Sequence, residues 1–99
     1  MKIRLLESAR ADLRRGYHFY ERQTQGLGAF FLDAVQADVR SLTIYAGIHP
    51  KVEGLHRLLV KRFPYAIYYD LQHDRADIYA ILDCRQNPEQ LMARLEGLK

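Results

Sequence analysis

Arg57, Lys61, Arg62 and Arg85 are the side chains of this chain with the clearest chemical capacity, because each lies in or just after a segment of strand-like character. A guanidinium offers a planar fork that meets a carboxylate or a phosphate in two-pronged fashion, whereas an ammonium is a mobile point charge. Cleavage of RNA by 2′-hydroxyl attack needs such cations, together with a group to take the proton and an acid for the leaving oxygen. Arg57, Lys61 and Arg85 can supply the cations, but no evident acid or base accompanies them. Recognition is the other chemistry open to these residues. Lys61, Arg62, Phe63 and Arg85 make a cationic, partly aromatic group of the kind that dominates binding energy at interfaces. Plainer accounts fit as well: Lys61 and Arg62 suit a solvated hairpin tip, and Arg85 suits pairing with Asp83 or capping of the last turn.

Other chemistries find less support. His18, His49, His56 and His73 lack the close helical spacing of a zinc pair, and a lone Cys84 makes neither a disulfide nor a cysteine-based metal site. Cys84 stands beside Arg85, which favours a thiolate, but no His–Asp context supports a nucleophile. Gly26-Leu27-Gly28 is a turn, not a phosphate loop, since no Gly-Lys-Ser/Thr follows. No metal and no cofactor are expected. Fifteen Lys and Arg against twelve Asp and Glu leave +3, and that surplus alone is weak grounds for nucleic-acid binding. With 48% hydrophobic and 27% charged residues the composition is globular, which argues against disorder. No apolar run is long enough to span a membrane, and Glu7 and Arg10 interrupt any signal-type stretch at the start. The expectation is a single domain over 1–99 in a reducing compartment, the cytoplasm.

The elements that must position these side chains follow from periodicity. Met1–Leu6 alternates and reads as a strand. Ser8 is placed as an N-cap, and Leu13, Tyr17 and Tyr20 then repeat at helical spacing to an end near Gln23–Gly26. A second helix over 27–45 carries Leu27, Phe31, Ala34, Val35 and Leu42 near one face, and the short link makes the pair an antiparallel hairpin. Residues 46–54 read as a loop from their Gly and Pro content. Three strands follow over 55–61, 65–71 and 76–83, with 62–64 and 72–75 as hairpin turns. Pro88 is suited to open a last helix, with Leu91 or Met92 and Leu95 turned inward. The fold class is α+β, in the order β-α-α-β-β-β-α, with the helical hairpin packed on one face of an antiparallel sheet.

Alternate strand residues point to opposite faces. Leu58, Val60, Tyr65, Ile67, Tyr69, Ile78, Ala80 and Leu82 form the apolar set expected under the hairpin. Arg57, Leu59, Lys61, Ala66, Tyr68, Asp70, Tyr79, Ile81, Asp83 and Arg85 form the other. That face, with Leu59, Tyr68, Tyr79 and Ile81, is too apolar to be ordinary solvated surface. The last helix, a partner, or both should cover it.

The stretch Arg57-Leu58-Leu59-Val60-Lys61-Arg62-Phe63-Pro64-Tyr65-Ala66-Ile67-Tyr68-Tyr69-Asp70, followed by a strand and Asp83-Cys84-Arg85-Gln86-Asn87-Pro88, resembles the RelE/ParE superfamily of bacterial type II toxins. The element order and length agree along the whole chain. The resemblance implies a toxin silenced by a cognate antitoxin in a hetero-oligomer, with no membrane partner. RelE-like members cut messenger RNA on the ribosome, and ParE-like members block DNA gyrase. The cationic positions of the nuclease set fall here on Arg57, Leu59, Ala66 and Arg85, and its C-terminal tyrosine falls near Leu91, between Gln90 and Met92. Only Arg57, Lys61 and Arg85 remain as phosphate contacts, so the resemblance leans to the ParE-like branch, with the mRNA endonuclease, or a toxin fold that has lost activity, as alternatives. On the ParE-like reading Lys61, Arg62, Phe63 and Arg85 contact gyrase, while Arg57, Leu59, Tyr68, Tyr79 and Ile81 contact the antitoxin.

Overall fold

The computed structural model describes residues 1–98. Strand β1 (Lys2–Leu5) leads into helices α1 (Glu7–Gln23) and α2 (Leu27–Tyr45). Strands β2 (Lys51–Val52), β3 (Leu55–Leu59), β4 (Tyr65–Gln72) and β5 (Arg75–Asp83) follow, then helix α3 (Pro88–Glu96). The sheet runs β1-β5-β4-β3-β2, with β1 parallel to β5 and every other pair antiparallel. The expected α+β architecture is present, with one addition. The expected loop over 46–54 contains β2, which pairs Lys51 with His56 and Val52 with Leu55. Glu53 and Gly54 both take positive φ, 53° and 80°, as a two-residue hairpin turn requires. Glu-Gly is a weaker signal for that turn than Asn-Gly or Asp-Gly, which is why the sequence reads as a loop.

The α1–α2 turn is held by a side chain of α1. Gly26 sits at φ +89°, a left-handed conformation that glycine adopts without steric cost. The Glu21 carboxylate accepts the N–H of Gly26 at 3.0 Å and that of Gly28 at 2.9 Å, satisfying donors that the first turn of α2 leaves unpaired. Ser8 does not cap α1, as expected from sequence. It lies inside the helix, and its hydroxyl donates to the Tyr79 carbonyl on β5 at 2.6 Å.

That contact marks a bulge. Tyr68 pairs with Ala80 and Tyr69 with Ile78, so Tyr79 has no opposite on β4. One extra residue reverses side-chain parity along the rest of the strand. Ile81 therefore turns under the hairpin, 1% exposed, among Phe31, Tyr65 and Ile67, while Ala80 and Leu82 turn to the other face. The alternation read from sequence had these three residues reversed. The opposite face is covered by α3: Leu95, with Leu91 and Leu98 beside it, packs with Leu55, Ala66, Tyr68, Ala80 and Leu82. Full burial of each large apolar side chain contributes roughly 1.5–3 kcal/mol, so α3 is an integral wall of the domain.

Asp12 of α1 joins these parts. Its carboxylate, 3% exposed, accepts the Ile81 N–H at 3.0 Å, just past the bulge. It also accepts both Arg94 nitrogens, at 2.9 and 2.8 Å, and a nitrogen of Arg15. One carboxylate thus binds α1, β5 and α3. Asp12→Ala leaves a buried N–H and a half-buried guanidinium unpaired, and should lower unfolding free energy by about 2–3 kcal/mol in urea titrations. Asp12→Asn keeps an acceptor for Ile81 and should lose less. Equal, small losses in both would show that the carboxylate does not hold the three elements.

Candidate functional site

At the end of the sheet the turn after β3 meets the hairpin. Phe63 packs its ring against Tyr20 at 4.8 Å, Phe31 at 5.2 Å and Phe30 at 5.6 Å between centroids. These edge-on contacts are a favoured aromatic geometry, each adding about 0.5–1.5 kcal/mol beyond area burial. The Cys84 N–H donates to the Pro64 carbonyl at 2.7 Å, which ties the end of β5 to the same turn. Meander geometry predicts Lys61, Arg62, Phe63 and Arg85 at this end of the sheet: Arg85 reaches Tyr20, which packs on Phe63, and Arg62 lies over Phe30 of the same aromatic group.

Two of the cations are positioned by aromatic rings that carry little signal in the sequence. Arg62 lies over the Phe30 ring at 5.9 Å, and Arg85 over Phe19 at 6.0 Å. Phe19 and Phe30 remain 39% and 46% exposed, although each belongs to a well-packed helix. Their one sequence signal is an aromatic side chain off the apolar stripe of its helix. Lys61 joins the turn through its backbone, whose N–H donates to the buried Asp38 carboxylate at 3.0 Å, while its side chain is exposed.

Arg85 is a paired cation. Its Nε and a terminal nitrogen donate to the Asp83 carboxylate at 3.0 and 2.9 Å, and its backbone N–H adds a contact at 2.8 Å. A further nitrogen contact reaches the Tyr20 hydroxyl at 3.4 Å. Burial pushes the Asp83 carboxyl up, but the Arg85 hydrogen bonds outweigh it and the net shift is downward. The phenols move the other way. Burial raises Tyr20 despite Arg85, and raises Tyr65, with help from Asp83, to about 12. Burial also raises the Cys84 thiol, with Arg57 opposing. These groups stay protonated near neutrality and add no negative charge to the site.

Arg57 lies elsewhere. It pairs across strands with Tyr68, and burial raises the Tyr68 phenol although the Arg57 guanidinium beside it pulls down. Arg57 Nε is buried without a hydrogen-bond partner. Arg57 is thus on the α3 side of the sheet and Arg85 on the hairpin side. Of the set Arg57, Lys61 and Arg85 left as phosphate contacts on the endonuclease alternative, Arg57 and Arg85 therefore lie on opposite sides of the sheet. Of the face containing Arg57, Leu59, Tyr68, Tyr79 and Ile81, only Leu59 stays open, at 57% exposed. Tyr68 is buried under α3, Tyr79 is partly covered, and Ile81 is in the hairpin core because of the bulge. Ala66 is fully buried, and Leu91 packs beside Leu95.

The paired Asp83 gives a pH test. A carboxyl held below its ordinary value contributes stability that is present above the unfolded-state value, near pH 4, and is lost as pH falls through the folded value. Arg85→Ala should move the Asp83 midpoint upward, past the ordinary carboxylate value because burial persists, as followed by carboxyl carbon NMR. It should also bring acid unfolding to higher pH. An unmoved midpoint would mean that Arg85 does not set this charge.

No family model matches the chain, and no curated protein does. Among solved structures, a chain of the chromosomal ParDE TA system from P. aeruginosa matches with a TM-score of 0.74 and 21% identity, over 82% of this chain and 92% of that one. Among the described residues no helix is long and apolar enough to cross a membrane, and no cluster of His, Cys, Asp and Glu is suited to a metal. A helical hairpin on one face of a five-stranded sheet, in this connectivity, is a ParE-like fold.

Proposed function

We propose that this chain is the toxin of a type II toxin–antitoxin pair, held silent by a cognate antitoxin, and that it acts in the cytoplasm by binding DNA gyrase. The observation that carries the reading is the edge at Phe63, together with the likeness in fold to a ParDE chain. Arg62 and Arg85 each rest over a half-exposed ring, so the edge joins cationic and apolar surface without a buried nucleophile. Such surface suits binding. A ribosome-dependent mRNA endonuclease would need its cations to meet around one phosphate, and the separation of Arg57 from Arg85 across the sheet favours the binding role.

The antitoxin, on this proposal, takes the open margin of the α3 side. Leu59 and the exposed Met92 offer apolar contact there, and Arg57 and Lys61 would meet its acids. Tyr68 and Tyr79 contribute through the packing of α3, and Ile81 only through the core.

Arg62→Ala combined with Arg85→Ala should weaken inhibition of gyrase supercoiling by at least about a hundredfold, because each interface arginine of this kind is worth roughly 2 kcal/mol or more. The variant should keep its cooperative melt and its antitoxin complex. Full inhibition by the folded double variant would place the contact elsewhere. Failure of the wild type to inhibit would remove gyrase as the target. Primer extension on messages from expressing cells should show no cleavage; codon-position cuts that vanish in Arg85→Ala would establish the endonuclease instead.

A further inference from the structure

Beside the edge, a cleft of about 570 Å³ opens between α1, the end of β5 and α3, with Arg15, Phe19, Arg22 and Arg94 among its walls and Tyr65 and Asp83 deeper in. Its charges are unequally committed. Arg94 gives both terminal nitrogens to Asp12, Arg15 gives one, and Arg85 at the rim is taken by Asp83. Arg22 has no carboxylate within ion-pair distance among the described residues. The cleft therefore presents one uncommitted guanidinium and the spare donors of Arg15, above an apolar wall made by Phe19.

We propose that this cleft seats an acidic segment of a protein partner in which carboxylates alternate with apolar side chains. Carboxylates would bind the Arg22 fork and the outer Arg15 donors, and an apolar side chain would cover Phe19. Two arguments favour a protein over a nucleic acid. A phosphodiester strand is held by several uncommitted cations in a row, and this cleft has one. Asp12 and Asp83 also place negative charge inside it, which a continuous line of phosphates would meet unfavourably. A segment with isolated carboxylates avoids both problems.

Phe19 belongs to the cleft and also carries Arg85 of the gyrase-facing edge. A segment seated here would cover that ring, so occupancy of the cleft and of the edge would be mutually exclusive. Only this consequence rests on the toxin reading. The preference of the cleft for carboxylates does not.

The probe is a fluorescein-labelled octapeptide of alternating Glu and Leu, followed by anisotropy with the full chain. Binding should weaken with added salt and be absent for the same peptide with Gln in place of Glu. Arg22→Ala and Phe19→Ala should each weaken it roughly tenfold, the loss of one charge-assisted contact or one apolar cover. Both positions are exposed, and circular dichroism checks their fold. Arg22→Lys, which keeps the charge and loses the fork, should bind weakly too. Arg40→Ala, on the exposed side of α2, should bind as the wild type does. No binding, equal binding of the Gln peptide, or an equal loss in Arg40→Ala would overturn the proposal. Displacement of the peptide by oligothymidylate would assign the cleft to nucleic acid instead. A gyrase assay that fails while the peptide maps to Arg22 and Phe19 would overturn the toxin reading and leave the cleft standing.

Discussion

The bulge at Tyr79 and the carboxylate that answers it govern the arrangement of this domain. A strand with one extra residue leaves backbone groups out of its ladder, and buried backbone groups must find partners elsewhere. β1 accompanies β5 only as far as Ile78, so past that point α1 faces the strand. Ser8 takes the Tyr79 carbonyl and Asp12 takes the Ile81 N–H, which docks α1 along the strand in one register. Asp12 then needs compensation for its own burial, and the Arg94 fork provides it from α3. The position of α3, the side on which Ile81, Asp83 and Arg85 emerge, and the shape of the cleft beside α1 all follow from that local irregularity.

Asp12 is one of three buried acids among the described residues, and all three join elements distant in sequence. Asp38 of α2 accepts the Lys61 N–H and fixes the turn after β3 to the hairpin. Asp77 of β5 accepts from Arg4 of β1 at 3.0 Å and from Arg75, and its carboxyl is held low chiefly by the Arg75 hydrogen bond. Breaking a buried, hydrogen-bonded charge by removing one partner is costly, whereas the intact arrangement adds modest stability over an apolar one. The return lies in specificity: each carboxylate accepts only the correct neighbour, so helices that could slide on an apolar sheet are held in place.

Around this frame the aromatic residues determine the chemistry of the edge. Tyr20, Phe31, Phe63 and Tyr65 interlock beneath it and hold the 62–64 turn rigid. Phe19 and Phe30 extend the same packing to the surface, where rings can hold guanidinium groups without neutralising them. Arg62 therefore keeps its charge for a partner, and Arg85 shares its own with Asp83. The edge has donors and apolar area but few free acceptors, a composition suited to carboxylate-bearing protein surface.

Much of this was legible in the sequence, because helices, turns and strands each leave a local period. The bounds of α2, the strand segments, the turn at Arg62-Phe63-Pro64 and the opening of α3 at Pro88 are set by residues within a few positions of one another. Strand direction alone places the turn after β3 and the end of β5 at the same end of the sheet. Long-range contacts leave no such period. Nothing near Tyr79 signals a bulge, since its cause is the competition of α1 side chains, about 70 positions earlier, for the backbone of β5. Parity assumes an unbroken ladder, so it places Ile81, Asp83 and Arg85 on the wrong face, although the apolar content of the α3 side rightly calls for a cover there. Nothing local marks the roles of Asp12, Phe19 and Phe30, because these depend on Arg94, Arg85 and Arg62, which only the folded chain brings beside them. Local propensity determined which elements form. Tertiary packing, through buried polar groups that had to be satisfied, decided which face each functional side chain occupies.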